Sequence, residues 1–138
     1  MGVLLYEGEF IKGKRGGKGK EYGKIIYEGE FLEGEKNGKG KEYYDDGKLI
    51  FEGEYLNDKR NRKGKEYTYL NGALVFEGEY LNGERNGKGK EYNSVNGSIK
   101  FEGEYLNGKR WNGKGKEYRS GKLIFEGEYL NGVKKSAI

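Results

Sequence analysis

The sequence predicts an all-β protein: one elongated, single-layer antiparallel sheet of stacked β-hairpins, a meander of about eleven strands. The first observation is a pentapeptide of the form aromatic-Glu-Gly-Glu-aromatic, with copies starting at residues 6, 27, 51, 76, 101 and 125. The second is the absence of proline, which leaves every backbone N–H free to join a β-ladder. The third is the recurrence of short glycine-containing turns between apolar runs. A fixed period of this size is typical of repeat proteins, whose units pack mainly on their neighbours.

The composition indicates a thin sheet with little interior. Hydrophobic residues make up 33% of the chain, charged residues 36%, and the mean hydropathy is -1.07. Such polarity can indicate disorder, but aromatic residues reach 14% and stand at fixed places in every unit. We therefore expect an ordered array.

One repeat, residues 49–72, illustrates the predicted elements. Residues 49–56 alternate with a two-residue period and read as a strand, 57–62 as a loop, and 63–67 as a second strand. Alternation places Leu49, Phe51, Gly53 and Tyr55 on one face. The glycine is expected to leave room for a neighbour's Tyr67 or for the stem of Lys65, and the face of the second strand stays open.

The whole chain, residues 1–138, is expected to form a single repeat array. Its units are residues 4–24, 25–48, 49–73, 74–98 and 99–122, followed by a half unit at 123–132 and a tail at 133–138.

Several chemistries are disfavoured. The chain has no Cys and no His, so thiol nucleophiles, zinc sites and the usual general base are missing. The Lys-Gly-Lys segments lack the following helix of a phosphate loop. Pairs such as Glu52 and Glu54 recur identically, whereas a catalytic pair needs two different environments. We expect no enzyme activity and no cofactor, and the net charge of +4 does not favour nucleic acid as a partner.

The recurring Gly-Lys-Gly-Lys-Glu-Tyr…Asp-Gly…Phe-Glu-Gly-Glu-Tyr, as at residues 38–55, resembles the MORN repeat and a MORN-variant subgroup. The resemblance covers nearly the entire chain. It implies stacked hairpins that serve as scaffolds, dimerisation modules or attachment elements. Asp58 and Arg62 replace glycines of the other units, which predicts a different shape for the third hairpin loop.

The first functional hypothesis is a non-enzymatic scaffold that presents an aromatic and charged surface to proteins, including copies of itself. A single-layer sheet has no second layer to cover its rings, so they are candidates for a protein-binding face. The candidate residues are Phe51, Tyr55, Phe76, Tyr80, Phe101 and Tyr105.

The second hypothesis is peripheral binding to anionic phospholipid through basic hairpin loops, in an intracellular protein associated with membranes. Its candidate contacts are Lys59, Arg60, Arg85, Lys109, Arg110 and Trp111. A third, implied by the variant resemblance alone, is an antitoxin-like protein that binds a toxin partner.

The ends of the array are the remaining candidate site. In each repeat we call the strand that contains the aromatic pentapeptide first-type and the following strand second-type. Eleven strands would put a first-type strand at both edges of the sheet, near Leu4 and Tyr6 at one end and Leu123 and Phe125 at the other. Like edges can pair about a two-fold axis, which would allow end-to-end homodimers.

Overall fold

The computed structural model describes residues 5–137 and forms one antiparallel sheet whose strands lie in chain order. All of its regular elements are strands, which confirms the predicted meander. The described strands are β1 (Tyr6–Ile11), β2 (Lys14–Glu21), β3 (Ile25–Leu32), β4 (Glu35–Tyr44), β5 (Leu49–Leu56), β6 (Lys59–Tyr67), β7 (Leu74–Leu81), β8 (Glu84–Tyr92), β9 (Ile99–Leu106), β10 (Lys109–Arg119), β11 (Lys122–Leu130) and β12 (Val133–Ala137).

The sheet has twelve strands rather than eleven, because part of the expected tail forms β12. This strand pairs with the second half of β11, with Tyr129 opposite Lys134 and Leu130 opposite Val133. The two edges are therefore of different types, and the prediction that both are first-type strands is wrong. Leu123 and Phe125 lie on β11, which is not the outermost strand. Tyr6 lies on the edge strand β1, whereas Leu4 falls outside the described residues.

The connection inside each hairpin is a two-residue turn, shorter than the predicted loop over 57–62. In the third hairpin Asn57 and Asp58 have φ of 49° and 71°, the pattern of a type I′ turn. Asn82 and Gly83 form the same turn in the next hairpin with φ of 51° and 86°. The third loop thus keeps the common shape despite its substitutions, contrary to the prediction.

Each first-type strand places its aromatic residues on one face, here named the aromatic face. Phe51 and Tyr55 lie on it with ring centroids 5.7 Å apart, as the alternation predicts. The space above the glycines is filled by these rings themselves: a Cβ on Gly64 would overlap the ring of Phe51. The expectation that Tyr67 or the stem of Lys65 fills this space is therefore wrong.

The opposite side of the sheet, here named the charged face, carries the Glu side chains of the pentapeptides and the Lys side chains of the Lys-Gly-Lys segments. Glu52 stands opposite both Lys41 and Lys65. Tyr67 continues the alternation of β6 and donates a hydrogen bond to Glu52 at 2.9 Å. The second-strand tyrosine therefore belongs to the charged face, which decides the question left open by the sequence.

Candidate functional site

From β3 to β9 the aromatic face is closed, because its rings form the core of the sheet. Phe51, Phe76 and Phe101 are 0% exposed, while Tyr55 and Tyr80 are 4% and Tyr105 is 3% exposed. Rings of successive units meet edge to face, as Phe51 does with Tyr80 at 5.2 Å. The expectation of an uncovered aromatic trough is corrected here: these six side chains have almost no surface left to offer a partner.

Arginine side chains of the second-type strands cover the rings. The guanidinium of Arg60 lies 4.1 Å from the ring centroid of Phe51, and that of Arg85 lies 4.0 Å from Phe76. Arg60 reaches this position because it stands opposite Tyr55, with a register shift between Tyr55 and Gly53. A cation over an aromatic face is attracted by the ring quadrupole.

A glutamate of the preceding unit holds each of these arginines. Glu42 accepts hydrogen bonds from Arg60 Nε at 2.9 Å and from the hydroxyl of Tyr55. Glu91 accepts them from Arg110 Nε at 2.8 Å and from Tyr105 at 2.5 Å. We name this recurring arrangement the Glu–Tyr–Arg cluster, and it joins neighbouring units side chain to side chain.

The geometry of the Glu–Tyr–Arg cluster shifts the pKa values of its glutamate and tyrosine. Burial raises the pKa of Glu91, but hydrogen bonds from Arg110 and Tyr105 outweigh burial and leave the pKa below its ordinary value. Burial together with the Glu91 carboxylate raises the pKa of the Tyr105 hydroxyl. At neutral pH the carboxylate is charged and the phenol is not, so the cluster is a neutralised ion pair.

Three of the predicted lipid-binding cations belong to these clusters. Arg60, Arg85 and Arg110 are each paired with a glutamate at 2.8–2.9 Å, so the prediction that they form a basic loop surface is wrong. Their positions lie in strands, beyond the short turns. Lys59 and Lys109 are exposed at the turns. Trp111 is partly buried, and its ring lies against the turn glycine Gly132.

The internal copies contain a signal for the cluster that sequence reasoning did not use. In three hairpins the second residue after the two-residue turn is basic, at Lys36, Arg60 and Arg85, and a glutamate stands six residues later at Glu42, Glu66 and Glu91. An even separation places both members on one face of a strand. The same face also carries the aromatic residues opposite them.

The charged face contains an open groove of about 1050 Å³. Its floor is the line of paired glycines, such as Gly53 opposite Gly64, which crosses the sheet from strand to strand. Each strand from β4 to β9 contributes one residue to either wall, and both residues have the same sign. We name each such pair a rung: Glu52 with Glu54 on β5, Lys63 with Lys65 on β6, Glu77 with Glu79 on β7 and Lys88 with Lys90 on β8.

The lining of the groove extends from Glu28 on β3 to Glu104 on β9. Its limit at β9 coincides with a step in the glycine line. Strand β10 presents Gly113 to β9 but Gly115 to β11, and a register shift lies between Arg110 and Asn112, where Trp111 is the extra residue. The insertion thus interrupts the continuous floor.

Nothing in the described part of the chain resembles a metal centre, since no group of three or more acidic side chains is arranged to hold an ion. Within residues 5–137, no helix has the length and apolar character needed to cross a bilayer.

Comparison with protein families completes the description. The MORN repeat model matches residues 6–24, 27–48, 51–69, 76–97 and 101–122. No curated protein matches the chain. MORN repeats generally serve as non-enzymatic scaffolds and are often involved in contacts with proteins or membranes. By these five consecutive matches and by its sheet of stacked hairpins, the chain belongs to the MORN-repeat family.

Proposed function

We propose that this protein is a non-enzymatic scaffold that holds a segment of a partner protein in the groove of its charged face. The observation that carries the proposal is the groove itself, about 1050 Å³ of continuous space with a side-chain-free floor and charged walls. Binding sites in proteins are usually preformed concave surfaces with a few placed polar groups.

The contrast between the two faces supports this choice. From β3 to β9 the aromatic face has its rings 0–4% exposed, and its arginines are paired. Wall carboxylates of the groove are more accessible: the side chain of Glu102 is 56% exposed, and its distance to Lys90 is 3.7 Å. Long, exposed ion pairs contribute little to folding, so these charges can exchange partners at small cost.

The test compares capture of cellular proteins by the immobilised full chain and by two variants. The groove variant carries Glu54→Lys and Glu102→Lys, whose carboxylates each make an ion contact at 3.7 Å. The control carries Glu33→Lys and Glu84→Lys, which change the net charge equally at exposed positions, one within a turn and one next to a turn. Circular dichroism checks that all three are folded.

We expect proteins retained by the wild type to be retained by the control and lost from the groove variant. Two reversed charges convert attraction to repulsion, so the retained amount should fall at least about tenfold. Equal retention by the folded groove variant would show that partners bind elsewhere.

A further inference from the structure

The groove has a charge period along its length that restricts what can occupy it. Rungs alternate in sign from strand to strand, with Glu52 opposite Lys65 and Lys65 opposite Glu77. Neighbouring strands lie about 4.8 Å apart, so rungs of one sign recur about every 9.6 Å. This inference rests on the proposed function, because it concerns the chemistry of the segment held in that groove.

The width of the groove excludes a bound α-helix, and the backbone pairing of its floor excludes an added β-strand. The walls of a rung stand two residues apart on one strand, roughly 7 Å, whereas an α-helix with its side chains is about 10–12 Å across. Added β-strands need unpaired backbone groups, but the floor glycines are paired on both sides, as Gly53 is with Gly40 and Gly64. A single extended chain lying across the strands satisfies both conditions.

The polyproline II conformation matches the charge period. It rises about 3.1 Å per residue with three residues per turn, so every third side chain returns to the same side after about 9.3 Å. The acidic rungs recur at nearly the same interval. A basic residue at every third position would therefore meet successive glutamate rungs, and an acidic residue beside it would reach the lysine rung between them.

We infer that the groove binds an extended, polyproline II segment in which a basic and an acidic residue recur with a three-residue period. The lining spans seven strands, from Glu28 to Glu104, or roughly 29 Å. About nine residues of polyproline II cover that length. The wall ion pairs Lys41–Glu52 and Lys90–Glu102 are long, 4.0 and 3.7 Å, so they can exchange partners. Glu52 and Glu79 also accept hydrogen bonds from the Tyr67 hydroxyl and the Lys88 N–H, each through Oε1, which leaves Oε2 to meet a bound chain.

Two synthetic peptides of equal composition test the period. The first is four repeats of Lys-Glu-Pro, in which proline favours the extended conformation. Its isomer has four lysines, four glutamates and four prolines in blocks. Binding of each fluorescein-labelled peptide to the full chain is measured by fluorescence anisotropy at low and high salt.

We expect the periodic peptide to bind about tenfold more tightly than the block isomer, with an affinity that falls as salt rises. Binding should be lost in Glu54→Lys with Glu102→Lys. A second variant, Glu77→Lys with Lys90→Glu, exchanges two facing charges, keeps their attraction, and should also weaken binding.

The outcomes separate this inference from the proposed function. Equal affinity for both peptides, or no binding of either, would overturn the three-residue period even if cellular partners are lost from the groove variant. If neither cellular partners nor peptides respond to the groove variant, both the inference and the proposed function fail.

Discussion

Arg62 occupies a backbone conformation that other units assign to glycine. Its φ is 67°, and the equivalent residues Gly38 and Gly87 have φ of 95° and 97°. A side chain in this left-handed region costs of order 1 kcal/mol, which a glycine avoids. The hairpin keeps its shape because its pairing on both sides fixes the backbone, so the substitution changes strain rather than geometry.

Replacing Arg62 by glycine should therefore stabilise the protein. We expect Arg62→Gly to raise the free energy of unfolding by roughly 0.5–1 kcal/mol, measured by guanidinium titration. Glycine also frees Glu54 to accept a hydrogen bond from the next backbone N–H, as Glu79 does from Lys88 at 2.7 Å. A decrease in stability would show that the contact between Arg62 and Glu54 outweighs the strain.

Asp58→Gly is the matched control for this substitution. Asp58 also has a positive φ, 71°, but its carboxylate accepts a hydrogen bond from the backbone N–H of Lys36 at 2.9 Å. In Asp58→Gly, relief of backbone strain raises the free energy of unfolding, and loss of that hydrogen bond lowers it. We expect a change within about 0.5 kcal/mol of the wild type.

At the scale of the strand pair, the Glu–Tyr–Arg clusters make stability depend on pH. Glu42, Glu66 and Glu91 are partly buried, which raises their pKa, but hydrogen bonds from arginine and tyrosine outweigh burial and lower the pKa overall. Because the folded pKa lies below the unfolded pKa, the unfolded chain takes up protons first. The contribution of these glutamates to the free energy of unfolding is complete at pH values above the ordinary glutamate pKa. It is lost as the pH falls through the pKa that they have in the folded protein.

Glu91→Gln should isolate this contribution. We expect it to lower the free energy of unfolding by about 1.5 kcal/mol at pH 7, with the difference from wild type shrinking as the pH falls below about 4. Glu102→Gln is the control, because its side chain is 56% exposed and its difference should stay near zero throughout. A difference for Glu91→Gln that is independent of pH would contradict the charged state assigned to this cluster.

The strands, and the face on which their aromatic residues lie, were predictable from the sequence. The alternation within each strand and the repetition between units indicate that face independently. Phe51 and Tyr55 share that face in the structure, as their spacing predicts. The even spacing between Arg60 and Glu66 indicates the face of Arg60. Its place over the ring of Phe51 was not predictable in the same way, because it depends on extra residues in β6 between Gly64 and the turn. The groove was not predicted for a related reason. The glutamates and lysines of each strand resemble ordinary solvated surface residues, and only the register between strands shows that they line up as walls.

Across the sheet that residues 5–137 form, each strand pairs only with its neighbours in sequence, so stability is a sum of unit and interface contributions. The interfaces β6–β7 and β8–β9 repeat one register, with Gly64 opposite Gly78 and Gly89 opposite Gly103. The core repeats as well, since Phe51 contacts Tyr80 and Phe76 contacts Tyr105 in the same edge-to-face arrangement. Interior units should therefore be interchangeable.

Deleting residues 74–98 tests this interchangeability. The deletion removes β7 and β8 and joins β6 to β9, so Gly103 can take the place of Gly78 opposite Gly64 and Tyr105 can pack on Phe51. We expect a folded ten-stranded sheet with unchanged circular dichroism per residue and smaller denaturant dependence of unfolding, since less surface is buried.

Deleting only residues 74–83 is the control, because it removes one strand and its turn. It would place β8 beside β6, with Lys88 and Lys90 facing Lys63 and Lys65, and it would remove Tyr80, whose ring packs on Phe51. We expect this chain to lose its cooperative unfolding transition, since like charges directly opposite destabilise a strand pair and the core is interrupted. If both deletions unfold the protein, stability depends on the length of the array rather than on the phase of its repeats. If both fold, the alternation of strand types is not what specifies the sheet.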